Sequence, residues 1–549
     1  MPILSNLQLL FQTFALAGSI VFLVPLLSYI YDLHALSNKH LPGPPNNSFF
    51  GGNQKDLFED EDASIYTKWI EQYGRIHNRA TFFGRSQITV ADLKGISFIL
   101  RNSYDYPKHD SWRFLLSRVT GRGVLTAARE EHRKQRRVMN PAFEFTQIKD
   151  LTKIFLEKSI ELRDAWSTII GSDEIGHVDA LSWLSRMTLD VIGKAGSYIS
   201  RACIDIPLAH AQPGFNYDFQ SLQGEPNELN VAFSEAFRHG VGNMSLPVIL
   251  KMFFPILRIL PETDKVLRQA QTTIFKIGKQ LLADAKATLS VEAKDSKDIL
   301  SLLVHSNMSQ VLAPDQRMSD DQVLAQVPTF LVAGHESTGT ATAWAFLALC
   351  ENIDAQDKLR NELLSVSTDT PSMDQLNALP YLDAVVKEAL RLYAPVFETS
   401  RVALKDDVIP LDEPFTDKHG VVYRELRIKK GQELGIPIIA LNRDKKLWGE
   451  DALVFRPERW EDLPDAVSGI PGIVNHLMTF IGGPTACIGW RFALVEMKAL
   501  LFVLVRSFEF KLAVPRDEVL IKQGFPIHRP FVKSSGRHEL PLLLRLVVA

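Results

Sequence analysis

The chain has three cysteines in 549 residues, and one of them, Cys487, sits in the stretch FIGGPTACIGWRFA, Phe480 to Ala493. A free cysteine is most often a small buried hydrophobe. Here two glycines, Gly482 and Gly483, run up to it, and a helix-forming run, WRFALVEMKALLFVLVRSF, begins just past Gly489. A cysteine at a helix N-terminus meets the positive end of the helix dipole and unpaired N–H groups, which favour the thiolate, and thiolates bind metals. Cys203 and Cys350 are remote in sequence, and no CxxC pair or His/Cys cluster accompanies Cys487, which argues against a zinc site. A lone thiolate can still supply one axial bond to an iron already held by a porphyrin. Glycines would let the backbone lie close against such a flat macrocycle.

A thiol with that task needs a scaffold, and helical periodicity dominates the chain. It runs through DLTKIFLEKSIELRDAWSTII (Asp150–Ile170) and DQVLAQVPTFLVAGHESTGTATAWAFLALC (Asp321–Cys350), whereas β-rich pieces such as SQITVAD (Ser86–Asp92) are short and few. The expected fold class is mainly α with small β-sheets. At about 150 residues per domain the length suggests three or four domains, yet no linker or internal repeat divides the chain after its N-terminus. Residues 41–549 are therefore expected to form one catalytic domain. With 61 basic and 64 acidic residues, the net charge of −3 gives no reason to expect a nucleic-acid partner. Three cysteines without a disulfide framework fit a reducing compartment.

Residues 1–40 read differently. LQLLFQTFALAGSIVFLVPLLSYIY, Leu7 to Tyr31, carries no charge and at about 1.5 Å per residue is long enough to cross a hydrocarbon core of about 30 Å. It lacks the basic n-region and small-residue cleavage site of a secretory signal, so an uncleaved transmembrane helix is expected. Lys39 and His40 follow the span and no Lys or Arg precedes it, which places the body of the chain in the cytosol. LPGPP (Leu41–Pro45) then reads as a stiff connector.

FIGGPTACIG resembles the haem-binding loop of the cytochrome P450 superfamily, whose pattern is F-x-x-G-x-[R/H]-x-C-x-G: Phe480, Gly483, Cys487 and Gly489 match. Thr485 departs from it, standing where the family usually has Arg or His on a haem propionate. Further motifs follow in the family's order. EALR (Glu388–Arg391) resembles its ExxR, and FRPERW (Phe455–Trp460) its PERF-type motif. Alone, ExxR would be an ordinary solvated helical pair; in this company the resemblance implies that Glu388, Arg391 and Arg459 form a buried ion network behind the haem loop. HRKQRRVMNPAF (His132–Phe143) resembles the C-helix W-x-x-x-R, with His132 in place of Trp and Arg136 retained. Arg401, in ETSRVAL, matches a further Arg of the family, so His132, Arg136 and Arg401 are implied as propionate anchors. AGHEST (Ala333–Thr338) resembles the I-helix motif [A/G]-G-x-[D/E]-T-[T/S]. By resemblance, Ala333 and Gly334 leave room for dioxygen, Glu336 and Ser337 relay protons, and Thr338 shares the task; Ser337 keeps the hydroxyl but loses the methyl that restrains it.

The resemblance implies a cytochrome P450 fold, heme b with Cys487 as axial ligand, and the reaction RH + O2 + NADPH + H+ giving ROH, water and NADP+. Because GRGVLT at Gly121 lacks a dinucleotide fingerprint, NADPH is expected to act through a membrane-bound cytochrome P450 reductase, with cytochrome b5 as a second donor, docking near Arg133, Lys134 and Arg137. The location implied is the endoplasmic reticulum membrane, and fungal members are the most similar. LPVILKMFFPILRILP (Leu246–Pro261) is either a buried helix or a membrane-dipping entrance. Pocket candidates by resemblance are Phe114, Leu115, Phe330, Ala333, Val396, Phe397 and Phe525, an apolar set that suggests a lipophilic substrate, first a terpenoid, then a fatty acid or aromatic xenobiotic. Two rivals use the same fold: a haem isomerase or dehydratase, distinguished by NADPH independence, and a catalytically silent haem protein.

Overall fold

The computed structural model describes residues 27, 29–31, 33, 35, 36, 38–171, 175–195, 220–224, 228–242, 245–291, 299–308, 313, 317–522 and 527–547. Cys203 and Phe525 lie outside them. So does the predicted span Leu7–Tyr31, apart from helical residues at 27 and 29–31. The transmembrane helix expected ahead of the fold is thus not shown: among the described residues no helix is long and apolar enough to cross a membrane.

The molecule is built around one long helix, Asp320–Glu351, 32 residues and therefore roughly 48 Å. Its start is fixed by a capping box, in which the Ser319 side chain accepts from the Gln322 N–H and the Gln322 side chain reaches back to the Ser319 N–H. From Thr338 to Leu349 every side chain is buried, as expected of a helix apolar on all sides and enclosed by others. The enclosing helices include Ala180–Ala195 on one side and Trp490–Ser507 on another. The helix predicted over Asp150–Ile170 runs from Phe145 to Ile170 and packs on Trp490–Ser507.

The sheets are small, as expected. The one nearest the site has four strands in the order Ile76–Ala80, Ser86–Val90, Glu433–Ile436, Thr399–Val402. Its inner pair is parallel and its outer pairs antiparallel, with Arg401 opposite Leu434. LPGPP is not a free spacer. Leu41 is buried, the Pro42 carbonyl accepts from the Asn78 N–H at 2.8 Å, and a Cβ on Gly43 would lie 1.7 Å from the Asn78 carbonyl oxygen. The stretch is laid against the first strand of this sheet.

Candidate functional site

Behind the cysteine loop lies a sealed ionic knot. Glu388 and Arg391 share a face of the helix Pro380–Leu392 at i,i+3 and meet in a bidentate pair of 2.9 and 2.8 Å, both fully buried. Arg459 reaches the same carboxylate at 3.3 Å, joined by the Trp460 indole N–H at 3.1 Å and the Arg456 backbone N–H at 3.0 Å. Asp451, which the sequence reading did not single out, balances the second guanidinium at 2.7 Å. The spare donors of Arg391 go to the carbonyls of Asn442 and Ala452. Asn442 in turn accepts from the Met478 N–H at 3.0 Å and donates to the Thr479 hydroxyl at 2.8 Å. A chain of buried hydrogen bonds therefore runs from the knot to the residues immediately before Phe480, whose carbonyl accepts from the Cys487 N–H at 3.0 Å.

The loop glycines serve this packing. Gly483 has φ +73°, and a Cβ there would lie 2.3 Å from the Leu100 carbonyl oxygen; at Gly482 it would lie 1.8 Å from that of Pro471. They let the loop press on its own chain, which corrects the expectation that they face a macrocycle. The following helix begins at Trp490 with Gly489 as its cap, three residues past Cys487. Its terminus alone does not stabilise a thiolate: burial pushes the Cys487 thiol up, against the pull of the Gly489 N–H, Arg136 and Lys108. Yet the Cys487 side chain is exposed while Phe480 and Ala486 beside it are buried. A recessed thiol that faces open space is a ligand donor, and a metal takes its proton on binding.

Around it gather cations that have no carboxylate partner among the described residues. Arg136, on the helix Arg129–Met139, donates to the Ala486 carbonyl at 2.6 Å. Arg401 is 1% exposed, is held by the Thr399 hydroxyl and the Ser400 carbonyl, and leaves Nη2 without a partner. Burial pushes its pKa down to about 10. His132 is pushed down to about 4 by burial and then by Arg136, Lys108 and Arg401, and its Nδ1 is unpartnered. It is a neutral N–H donor, the role a Trp would fill, and no charge. Buried guanidinium groups lacking carboxylates are costly unless an anion completes them. An exposed thiol beside such a set fits a haem, whose iron takes the thiolate and whose propionates take the cations.

On the central helix the predicted residues separate. The Ser337 hydroxyl donates to the Ala333 carbonyl at 2.6 Å, and Ala333 is exposed. Gly334 is packed rather than open, since a Cβ there would lie 2.9 Å from Ile192 Cδ1. Thr338 is 2% exposed and turns from Ser337 toward Glu496 of the helix Trp490–Ser507. Glu336 is ion-paired to Arg529 of the strand Arg529–Val532, a partner with no motif to reveal it. Of the pocket candidates, Phe114 lies under the Arg258 guanidinium, 4.4 Å from ring centroid to Cζ. Leu115 is wholly in the core. Phe330 packs on Phe143 at 5.7 Å and Phe397 stacks on His528 at 4.5 Å, while Val396 is exposed.

The family model for cytochrome P450 matches residues 42–533. The chain is 45% identical over 521 residues to cytochrome P450 monooxygenase 205 of Postia placenta, covering 92% of each, and 45% identical over 523 residues to monooxygenase 128 of the same fungus, again 92% of each. It is 34% identical to cytochrome P450 monooxygenase claQ of Ampulloclitocybe clavipes over 522 residues, 92% of this chain and 93% of that protein.

Proposed function

This chain belongs to the cytochrome P450 family and is a haem-thiolate monooxygenase, and from that premise we propose that it hydroxylates a lipophilic small molecule at a membrane, with electrons from an NADPH-dependent reductase. The observation that carries the assignment of its centre is the exposed Cys487 thiol set in a loop locked by buried hydrogen bonds, beside cations that lack carboxylates. When bound there, haem supplies reductive activation of dioxygen and transfer of one oxygen atom to the substrate. Cys487 would hold its iron, and Arg136, Arg401 and His132 would hold its carboxylate edge. Ser337 and Glu336, on the same face of the central helix as Ala333, pass protons inward. The net change is RH + O2 + NADPH + H+ to ROH, water and NADP+.

The substrate class rests on the apolar character of Phe114, Phe330, Ala333, Val396 and Phe397; a terpenoid skeleton is the first candidate and a fatty acid the second. Membrane contact is supported by an aromatic cluster overlain by exposed apolar side chains. Tyr29 meets Phe254 at 5.9 Å, Phe83 meets Phe253 at 5.5 Å and Phe50 at 6.4 Å. Around this cluster Leu27, Phe49, Phe50, Leu246, Ile259 and Leu260 are more than half exposed, a grouping unusual on a surface bathed only by water. The segment Leu246–Pro261 is a short helix to Phe253 and a 3-10 turn at Pro255–Ile259, suited to lying in an interface. Reductase docking is supported by exposed Arg133 and Arg137 on the helix whose Arg136 holds the Ala486 carbonyl. The deciding experiment is the carbon monoxide difference spectrum of reduced membranes, followed by NADPH-dependent turnover. A strongly red-shifted Soret band, lost in Cys487→Ala, is expected; a band at the position of histidine ligation would reject the assignment.

A further inference from the structure

Thr485 leaves the haem loop without the cation usual at that position, and its hydroxyl is buried without a partner. A second region of the molecule brings a positive charge alongside the Arg401 strand, within electrostatic reach of Cys487. The segment Asp105–His109 is pinned along the strand that carries Arg401: the Asp105 carbonyl accepts from the Leu404 N–H at 3.0 Å and the Pro107 carbonyl from the Val402 N–H at 2.9 Å. His109 fastens its far end, with Nε2 3.0 Å from Glu433 of the adjacent strand. Lys108 stands between these fixed points. Its ammonium has three donors and spends one on the Leu125 carbonyl at 3.1 Å.

No carboxylate among the described residues pairs with Lys108, Arg136 or Arg401; their partners are carbonyls and a hydroxyl. Arg113, the other nearby cation, is spent elsewhere, its Nε on the Thr126 carbonyl at 2.7 Å. The ammonium is felt by the Cys487 sulfur and repelled by Arg401 and Arg113, and burial holds its pKa down at about 8. A lysine pinned in such a place without an acid is unfavourable in the protein alone. Two carboxylates delivered by a ligand would satisfy Lys108, Arg136 and Arg401 together.

Building on the haem assignment above, we propose that Lys108 is a propionate-binding residue and supplies the positive charge that Thr485 does not. The test is the rate of haem loss to excess apomyoglobin from the purified full-length holoprotein, for wild type, Lys108→Gln, Lys108→Arg and Lys108→Gln/Thr485→Arg. Gln keeps a donor for the Leu125 carbonyl and removes the charge. Haem loss at least about tenfold faster is expected in Lys108→Gln, as for one charge-assisted hydrogen bond of about 1.5–3 kcal/mol. Lys108→Arg should stay near wild type, and Thr485→Arg should recover most of the loss. The ratio of Lys108→Gln to wild type should fall to about one when both are reconstituted with haem dimethyl ester, which has no propionate charge. Equal rates in wild type and Lys108→Gln, or a ratio unchanged by the ester, would overturn the proposal. So would failure of Lys108→Gln to accumulate even with Thr485→Arg, which would mark a structural lysine. A wild-type spectrum without the thiolate band would instead overturn the haem assignment itself.

Discussion

Arg529 closes an ion pair on Glu336, its Nη2 2.5 Å from Oε1, from 193 positions away in the chain. The second Glu336 oxygen, Oε2, is buried without a partner. The pair ties the acid of the central helix to the strand Arg529–Val532, so a proton that passes through Glu336 must pass a carboxylate held by a guanidinium.

Removing that guanidinium leaves a largely buried carboxylate without its opposite charge, which is costly and loosens the side chain from its position. Arg529→Met is therefore expected to lower product formed per NADPH by about tenfold, the missing electrons appearing as hydrogen peroxide, and Glu336→Gln to lower turnover by roughly a hundredfold. Product and peroxide formed per NADPH check both. Full product per NADPH in Arg529→Met would show that the pair does not govern proton delivery.

The knot at Glu388 makes a different prediction, about folding. Glu388→Gln strands Arg391 and leaves Arg459 with Asp451 alone, each guanidinium with no more than 1% of its surface exposed. Breaking one partner of such a pair costs about 3–5 kcal/mol, against a total stability of about 5–15 kcal/mol. The expected outcome is little or no protein carrying haem, read as the yield from the carbon monoxide spectrum. Asp451→Asn should be milder, because Asp451 is a third exposed and its amide still accepts from Arg459. Normal haem content with reduced turnover in Glu388→Gln would assign the knot a catalytic role instead.

The sequence reading and the structure part company at identifiable places. Motif residues carry the spacing of a family, so Glu388, Arg391, Arg459 and Cys487 could be named by resemblance to it. Residues that act by tertiary approach leave no local signature. Lys108 reaches the site because a two-bond ladder lays its segment on the Arg401 strand, and Arg529 because its strand comes beside the central helix. Asn442 and Thr479 link knot and loop from stretches without periodicity. The glycines were legible as close approaches, but what they approach is the chain's own backbone at Leu100 and Pro471.

Glu496 offers a pH-dependent stability measurement. It is fully buried, and burial pushes its carboxyl well above the usual range, with the Thr338 hydroxyl beside it pulling back. In the unfolded chain a Glu titrates near 4.3. Between that value and the raised folded value the native state binds the extra proton, so stability falls by about 1.4 kcal/mol for each unit that pH rises. Glu496→Gln abolishes this slope. Relative to wild type, its urea midpoint should gain steadily between pH 5 and pH 7.5, with the sign opposite to that of a salt-bridged carboxylate. A constant difference across that range would show that Glu496 is ionised in the fold.

The exposed apolar side chains around the aromatic cluster of Tyr29, Phe83 and Phe254 predict where the body of the protein meets lipid, separately from any anchor. Ile259 is 78% exposed at the end of the 3-10 turn that follows Phe254. If this face lies in the bilayer interface, Ile259 is immersed to roughly 5–10 Å, the depth of an amphipathic segment at the acyl boundary. Ile259→Trp in the full-length protein, reconstituted into vesicles containing lipids brominated at defined acyl positions, is expected to add a fluorescence component quenched most strongly by bromines near the headgroup. Val454→Trp serves as the comparison, since Val454 is also half exposed but follows the knot residue Asp451, and its added component should not be quenched. Equal quenching of the two would mean that both sites sit at the same distance from lipid, and the entrance assigned to Leu246–Pro261 would have to be abandoned. Quenching of Ile259→Trp alone would fix the orientation of the body, and substrates that partition into the acyl region would then reach the site without crossing water.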